Sequence, residues 1–224
     1  MNWEVTHKNP KVVAAFTAYK TFVLDIATHY AGSRLIEHLD ISSLGDESQL
    51  AISDNYPEPV TTIRTIGELR KSFDSGEYSQ LCLRQATIQL CTAFEVFFNS
   101  ISEIYGISDN SLELVQVTYK RISTSPIKLG NKTIKQIRKL HKELSFESAL
   151  NYDEVLAKIT SIIETRNCIV HSAGIVPDAG KLIRLSAYAM HHKIGDQLFI
   201  PSNSLDDFLH YMGIHIIGFV KNLP

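Results

Sequence analysis

Three cysteines stand in 224 residues, at Cys82, Cys91 and Cys168, and no two have CxxC spacing. A disulfide framework is excluded, and a structural zinc site has no ligand set. The three read as reduced, buried, small apolar side chains of a cytoplasmic protein. No apolar run approaches the length of a membrane span. The first residues, MNWEVTHKNPKVV, lack the apolar stretch of a secretory signal. The net charge is only −2, which argues against a general polyanion binder. No GxSxG, HExxH or dinucleotide fingerprint is present. The run Leu129-Gly130-Asn131-Lys132-Thr133 resembles the end of a phosphate loop but lacks its first glycine. His191-His192 has no third metal ligand nearby in sequence, so neither metal nor cofactor is expected.

What is present is mostly helical periodicity. Apolar residues recur at helical spacing over residues 11–39, through Val12, Phe16, Tyr19, Phe22, Val23, Ile26 and Tyr30. The segment 41–59 is rich in Ser, Asp, Asn, Gly and Pro and reads as a loop. A short helix is expected over 61–73. The strongest signal is 79–105, apolar over a wide arc, which places it at the centre of a bundle. A helix is expected over 112–122, a turn or loop over 123–131, and a short amphipathic helix over 133–144. The next helix, capped by Asn151 or Asp153, runs to about Ser172 and stops at Gly174. Residues 175–185 show only short pieces. Residues 194–200 read as a small β-hairpin turning at Gly195-Asp196, and 204–223 returns to a helix. The expected class is all-α, a helical bundle with one small hairpin before the last helix.

Charge is unevenly spread. Lys120, Arg121, Lys128, Lys132, Lys135, Arg138, Lys139 and Lys142 occur with no acidic residue among them. Asp40, Asp46, Glu47, Asp54 and Glu58 occur with no basic residue among them. Lys135, Arg138, Lys139 and Lys142 fall on the outer face of the 133–144 helix. They form a candidate surface for an anionic partner such as RNA, with a solvated helix face as the alternative.

The run Arg166-Asn167-Cys168-Ile169-Val170-His171 carries the chemistry. Leu156, Ile159, Ile162, Ile163, Ile169 and Val170 share one helix face, and Arg166 projects near its middle. Asn167 and His171 are four apart and stack along the edge. A guanidinium in an apolar stripe requires a carboxylate partner, a cavity or an interface. Arg84 and Glu95 form a similar polar insertion in the 79–105 helix, so Glu95 is the candidate partner of Arg166. Arg, Asn and His together suit phosphoryl transfer. Imidazole moves a proton near neutral pH, and guanidinium stabilises a phosphate as it gains charge. RNA brings its own 2′-OH nucleophile, so cleavage needs no metal. One helix supplies one histidine, and a two-fold dimer would bring two Arg/His sets into one cleft.

The pattern Arg166-Asn167-x-x-x-His171 resembles the Arg-x4-His signature of the HEPN domain superfamily, in which a polar residue, often Asn, follows the Arg. The long helix before it, from Leu83-Arg84-Gln85-Ala86 to Phe97-Phe98-Asn99, resembles the first core helix of such domains. Gly174 after the motif helix and the Gly195-Asp196 turn before the last helix also resemble the family. The resemblance covers roughly 79–223. Residues 1–78 would then be an N-terminal helical extension and loop packed on the core, and 79–224 the HEPN-like core.

The resemblance implies a homodimer through the motif helix and a metal-independent endoribonuclease leaving 2′,3′-cyclic phosphate ends. It also implies a toxin–antitoxin or anti-phage setting, with a cognate antitoxin or defence-system protein as partner. Arg166, Asn167 and His171 would be its catalytic residues. Glu95 and the basic helix rest on the residue pattern alone. Two alternatives stay open. One is an inactive HEPN module that binds RNA, a nucleotide or a partner protein. The other is a structural helical domain in which Arg166 serves only to pair with Glu95.

Overall fold

The structure is a computed structural model that describes residues 3–53, 60–108, 115–117, 127–129, 131–145, 152–186 and 192–224. Asp54, Glu58, Lys120, Arg121, Asn151 and His191 lie outside the described residues, as does most of the helix expected over 112–122.

The fold is all-α. Its long helices are α1 (Pro10–Ile36), α3 (Glu77–Ile104), α5 (Tyr152–His171) and α7 (Ser204–Lys221). Shorter helices are α2 (Ile66–Asp74), α4 (Lys132–Glu143) and α6 (Ala179–Ser186). Two short antiparallel ribbons complete the described elements: β1 (Gln49–Ser53) with β2 (Val60–Thr65), and β3 (Val115–Val117) with β4 (Ile127–Leu129). Among the described residues no helix is long and apolar enough to cross a membrane.

Local chemistry sets several boundaries. Asn9 caps α1, its side chain accepting from the Lys11 N–H, and Pro10 needs no N–H at the first helical position. Thr65 and Glu68 form a reciprocal capping box at α2. Asn131 caps α4 by accepting from the Thr133 N–H at 2.9 Å.

Helix α3 is the axis of the core. Leu83, Leu90, Cys91, Phe94, Phe97, Phe98 and Ile101 along it are buried. Phe98 packs edge-on against Phe94 at 4.9 Å and against Phe219 of α7 at 5.0 Å between ring centroids. Each such fully buried ring contributes roughly 1.5–3 kcal/mol. Helix α7 runs alongside α3 in the same direction: Gln80 binds the Ile200 carbonyl, His215 meets Phe94, and Tyr105 reaches the Pro224 carbonyl. Helix α1 runs the opposite way, with Tyr19 on Phe97 and Ile26 beside Ala86. Its buried stripe is Val12, Phe16, Tyr19, Val23 and Ile26, while Phe22 is exposed.

Several elements differ from the sequence reading. The helix expected over 61–73 begins only at Ile66, because Val60-Thr61-Thr62-Ile63 is a β-branched run that joins the β1–β2 ribbon. The loop expected over 41–59 contains β1. Within the segment expected as a helix over 112–122, Val115–Val117 is a strand paired with Ile127–Leu129. Residues 175–185 contain α6, which Asp178 starts by accepting from the Lys181 N–H. Asp153 falls inside α5 rather than capping it.

The hairpin expected over 194–200 does not form on itself. Its turn pairs back onto the segment after α5: the Val176 N–H donates to Asp196, Gly195 to Val176 and Leu198 to Gly174. Val176 and Leu198 thereby enter the core, and Ile175 and Phe199 face outward. Cys91 and Cys168 are buried, but Cys82 is only half-buried.

Candidate functional site

Helix α5 is enclosed on nearly every side. Leu156, Ile159, Ile162, Ile163 and Cys168 are buried, and so are Thr160, Ser161, Glu164 and Thr165. Its buried hydroxyls are satisfied: Thr160 donates to Leu156, Thr165 to Ser161, and Ser161 to the Leu185 carbonyl of α6. The Cys91 thiol of α3 points at the Ile162 carbonyl at 3.8 Å, and burial pushes that thiol well above its usual range.

Two ion-pair sets lock α5 between its neighbours. Toward α3, Arg166 pairs with Glu95 through Nη2, and its Nη1 donates to Asn167 Oδ1 at 3.0 Å. The other Glu95 oxygen accepts from the Thr133 hydroxyl of α4 at 3.2 Å. Glu95 therefore joins α3, α4 and α5 at one point. Arg166 Nε is buried with no partner among the described residues. Toward α6, Glu164 is 4% exposed and pairs with Lys181 and Arg184. Residues two apart on a helix point about 200° apart, so Glu164 and Arg166 hold opposite sides of α5. The sequence reading missed the Glu164 set. Its signal was a lone carboxylate in an otherwise uncharged stretch, two residues before Arg166.

His171 is the last residue of α5 and is exposed. It has no hydrogen bond or ion pair among the described residues. The chain turns sharply just beyond it. Ala173 and Gly174 both have positive φ, 50° and 79°, and the Gly174 N–H returns to the Cys168 carbonyl at 2.8 Å. The φ of Gly174 favours glycine there, and a Cβ would also make the end of the Gln197 side chain shift from its place 2.6 Å away. Arg84 lies against the same turn and donates to the Leu198 carbonyl at 3.2 Å. It pins the segment that follows His171.

The structure brings Arg166, Asn167 and Glu95 into contact and leaves His171 one turn further along the same helix. It does not bring Lys139 and Lys142 beside them. Helix α4 starts beside Glu95 and runs along α3, with Gln136 bonded to Asn99 and Ser102, and Lys139 to the Ser108 carbonyl. At 1.5 Å per residue this carries Lys139 and Lys142 about 10 Å or more from Thr133. Lys135, Arg138 and Lys139 are half-buried, and of the four only Lys142 is exposed. Val170, read as part of the inward face, is 49% exposed, and Ile175 beyond the turn is 41% exposed.

Comparison with protein-family models, curated proteins and solved structures gave no match.

The arrangement can do two things chemically. The free imidazole of His171 can exchange a proton with a group on the surface. The Arg166 guanidinium can hold an oxyanion once it shares or exchanges its Glu95 partner. Asn167, bonded to Arg166 through its oxygen, presents its amide NH2 as a donor toward the same edge.

Proposed function

We propose that this protein is a metal-independent endoribonuclease of the HEPN type. The observation that carries the reading is the partner-free, exposed His171 one helical turn from Asn167, with Arg166 beside Asn167, at the exposed end of a helix whose middle is buried. His171, where the helix emerges from the core, contributes little to packing, which favours a chemical role for it.

In the proposed reaction His171 takes the proton of an RNA 2′-OH. The O2′–P bond forms, the P–O5′ bond breaks, and a second proton donor neutralises the leaving O5′. The products are a 2′,3′-cyclic phosphate and a free 5′-OH. Arg166 stabilises the pentacovalent phosphate, and Asn167 orients it. A homodimer across the end of α5 would supply the second donor as His171 of the other protomer. Exposed Val170 and Ile175 beside His171 support such a contact. The basic face of α4 would follow the RNA backbone, Lys142 most directly. A cytoplasmic setting, and an antitoxin or defence-system partner, belong to the same proposal.

A second reading is favoured by one observation. Arg166 already spends its charge on Glu95. A guanidinium so paired fits a non-catalytic protein: a module that binds RNA, a nucleotide or a partner protein, or a structural helical domain in which Arg166 serves only to pair with Glu95. The test is incubation of wild-type and His171→Ala protein with mixed cellular RNA in excess EDTA, followed by analysis of the new ends. Cyclic phosphate ends from wild type alone support the nuclease. Intact RNA with retained, salt-sensitive binding supports the module.

A further inference from the structure

A cleft of about 250 Å³ lies between α1 and the first half of α3. It is on the α1 side of α3, away from the face that carries Glu95, and it stands independently of the nuclease reading. It opens because Ala86 presents only a methyl where the two helices would otherwise fill the gap against Ile26. Tyr30 from α1 and Tyr78 from α3 contribute aromatic walls.

Part of the polar lining is already bonded: Ser33 donates to the His29 carbonyl at 2.9 Å, and the Tyr78 hydroxyl meets the Cys82 thiol. Gln85 and Gln89 are one helical turn apart and both face the cleft. Neither amide has a hydrogen-bond partner among the described residues, and nor does the imidazole of His29 on the opposite wall; Gln85 and His29 are exposed and Gln89 is half-buried. No Lys, Arg, Asp or Glu lines the cleft. The volume is below the roughly 300–1,000 Å³ of sites for drug-sized ligands, so it suits a small ligand no larger than a base with its sugar.

Each of these features selects a ligand property. Aromatic walls favour a flat ring. A Gln amide pairs in two-point fashion with an adjacent donor and acceptor on a heteroaromatic edge. The lining itself offers a phosphate no Lys or Arg, and the nearby Arg34, beyond Tyr30, is paired with Glu37. We propose that this cleft binds an uncharged nucleobase or nucleoside, with its hydrogen-bonding edge on Gln85 and Gln89. The same chemistry is offered by a free nucleoside and by an unpaired base within an RNA strand.

The test is titration of the full chain with adenosine, guanosine, cytidine and uridine in turn, read by calorimetry and by the shift in melting temperature. Adenosine monophosphate and a short unstructured RNA oligomer serve as comparison ligands. At least one nucleoside is expected to bind. The Gln85→Leu/Gln89→Leu double variant, altered at positions outside the core, should melt like wild type and lose about tenfold or more in affinity. Equal binding of the oligomer, lost in the same variant, would support the proposal with strand-borne bases as the source. Binding of the nucleoside alone would support it with the free nucleoside as the source. The proposal is overturned if no nucleoside binds, if the double variant binds as wild type does, if the monophosphate binds more tightly than its nucleoside, or if only the oligomer binds.

Discussion

Removing the Glu95 carboxylate should weaken the fold in a way that removing both partners does not. Arg166 is 17% and Glu95 27% exposed at the side chain, between a surface pair and a buried one. Exposed pairs contribute about 0–1 kcal/mol, and breaking a fully buried pair costs about 3–5 kcal/mol. Glu95→Ala should therefore cost about 1–3 kcal/mol, including the acceptor lost to Thr133. Glu95→Gln keeps an acceptor for Thr133 and should cost less than Glu95→Ala. Arg166→Met combined with Glu95→Met leaves no orphaned charge and should cost less than the sum of the two single changes. Urea unfolding followed by far-UV circular dichroism gives all four corners of the cycle. A coupling of about 1–2 kcal/mol is expected. Additive single changes, with coupling below about 0.3 kcal/mol, would refute the claim that Glu95 holds α5 to α3.

Two further predictions concern stability. His215 and His141 sit 6.1 Å apart between α7 and α4, and burial pushes their values down to about 3 and about 4 from the ordinary 6.5. Both are neutral in the fold, whereas the unfolded chain takes up protons below pH 6.5. Stability should be level above that pH and fall as pH drops toward 4, by on the order of 2 kcal/mol at pH 5 for His215. His215→Leu should remove roughly half of the dependence, His141 supplying the rest, and a wild-type urea midpoint equal at pH 7 and pH 5 would refute this reading. Gly174→Ala places a Cβ at φ 79° and displaces the Gln197 amide. It should lower stability by about 1–2 kcal/mol in the same assay, and an unchanged midpoint would show that the turn is not under this constraint.

The bundle was legible where periodicity runs long. Over α1, α3, α5 and α7 the repeat of buried residues outweighs any local ambiguity. Short elements were hidden because pattern reading needs length. At Thr65 the helical period begins inside a β-branched run, and the strand before it was absorbed into the helix. Helix α6 spans only eight residues and shows itself mainly through the Asp178 cap. The turn at Gly195-Asp196 was visible as a turn, but its pairing with residues 174–176 is tertiary and leaves no local mark.

The Arg166–Glu95 contact was legible because each residue interrupts an apolar face, and two such interruptions need each other. The direction of α4 was not. Its amphipathic pattern identifies an outer face but does not say that Thr133 anchors it at Glu95 and that Lys139 ends on the Ser108 carbonyl. The exposure of Val170 follows from the end of the helix, where the surrounding elements no longer cover every side.

The proposed role of His171 is to move a proton in RNA cleavage without a metal. Its most direct measurement is the single-turnover cleavage rate of an end-labelled RNA in excess EDTA, for wild type, His171→Ala and Asn167→Ala. Cleavage by wild type is expected, with a loss of about 100-fold or more in His171→Ala at an unchanged melting temperature, because positioned proton transfer contributes about 10²–10⁴-fold. Cleavage that persists at the wild-type rate in His171→Ala, or wild-type cleavage that EDTA abolishes, would contradict it.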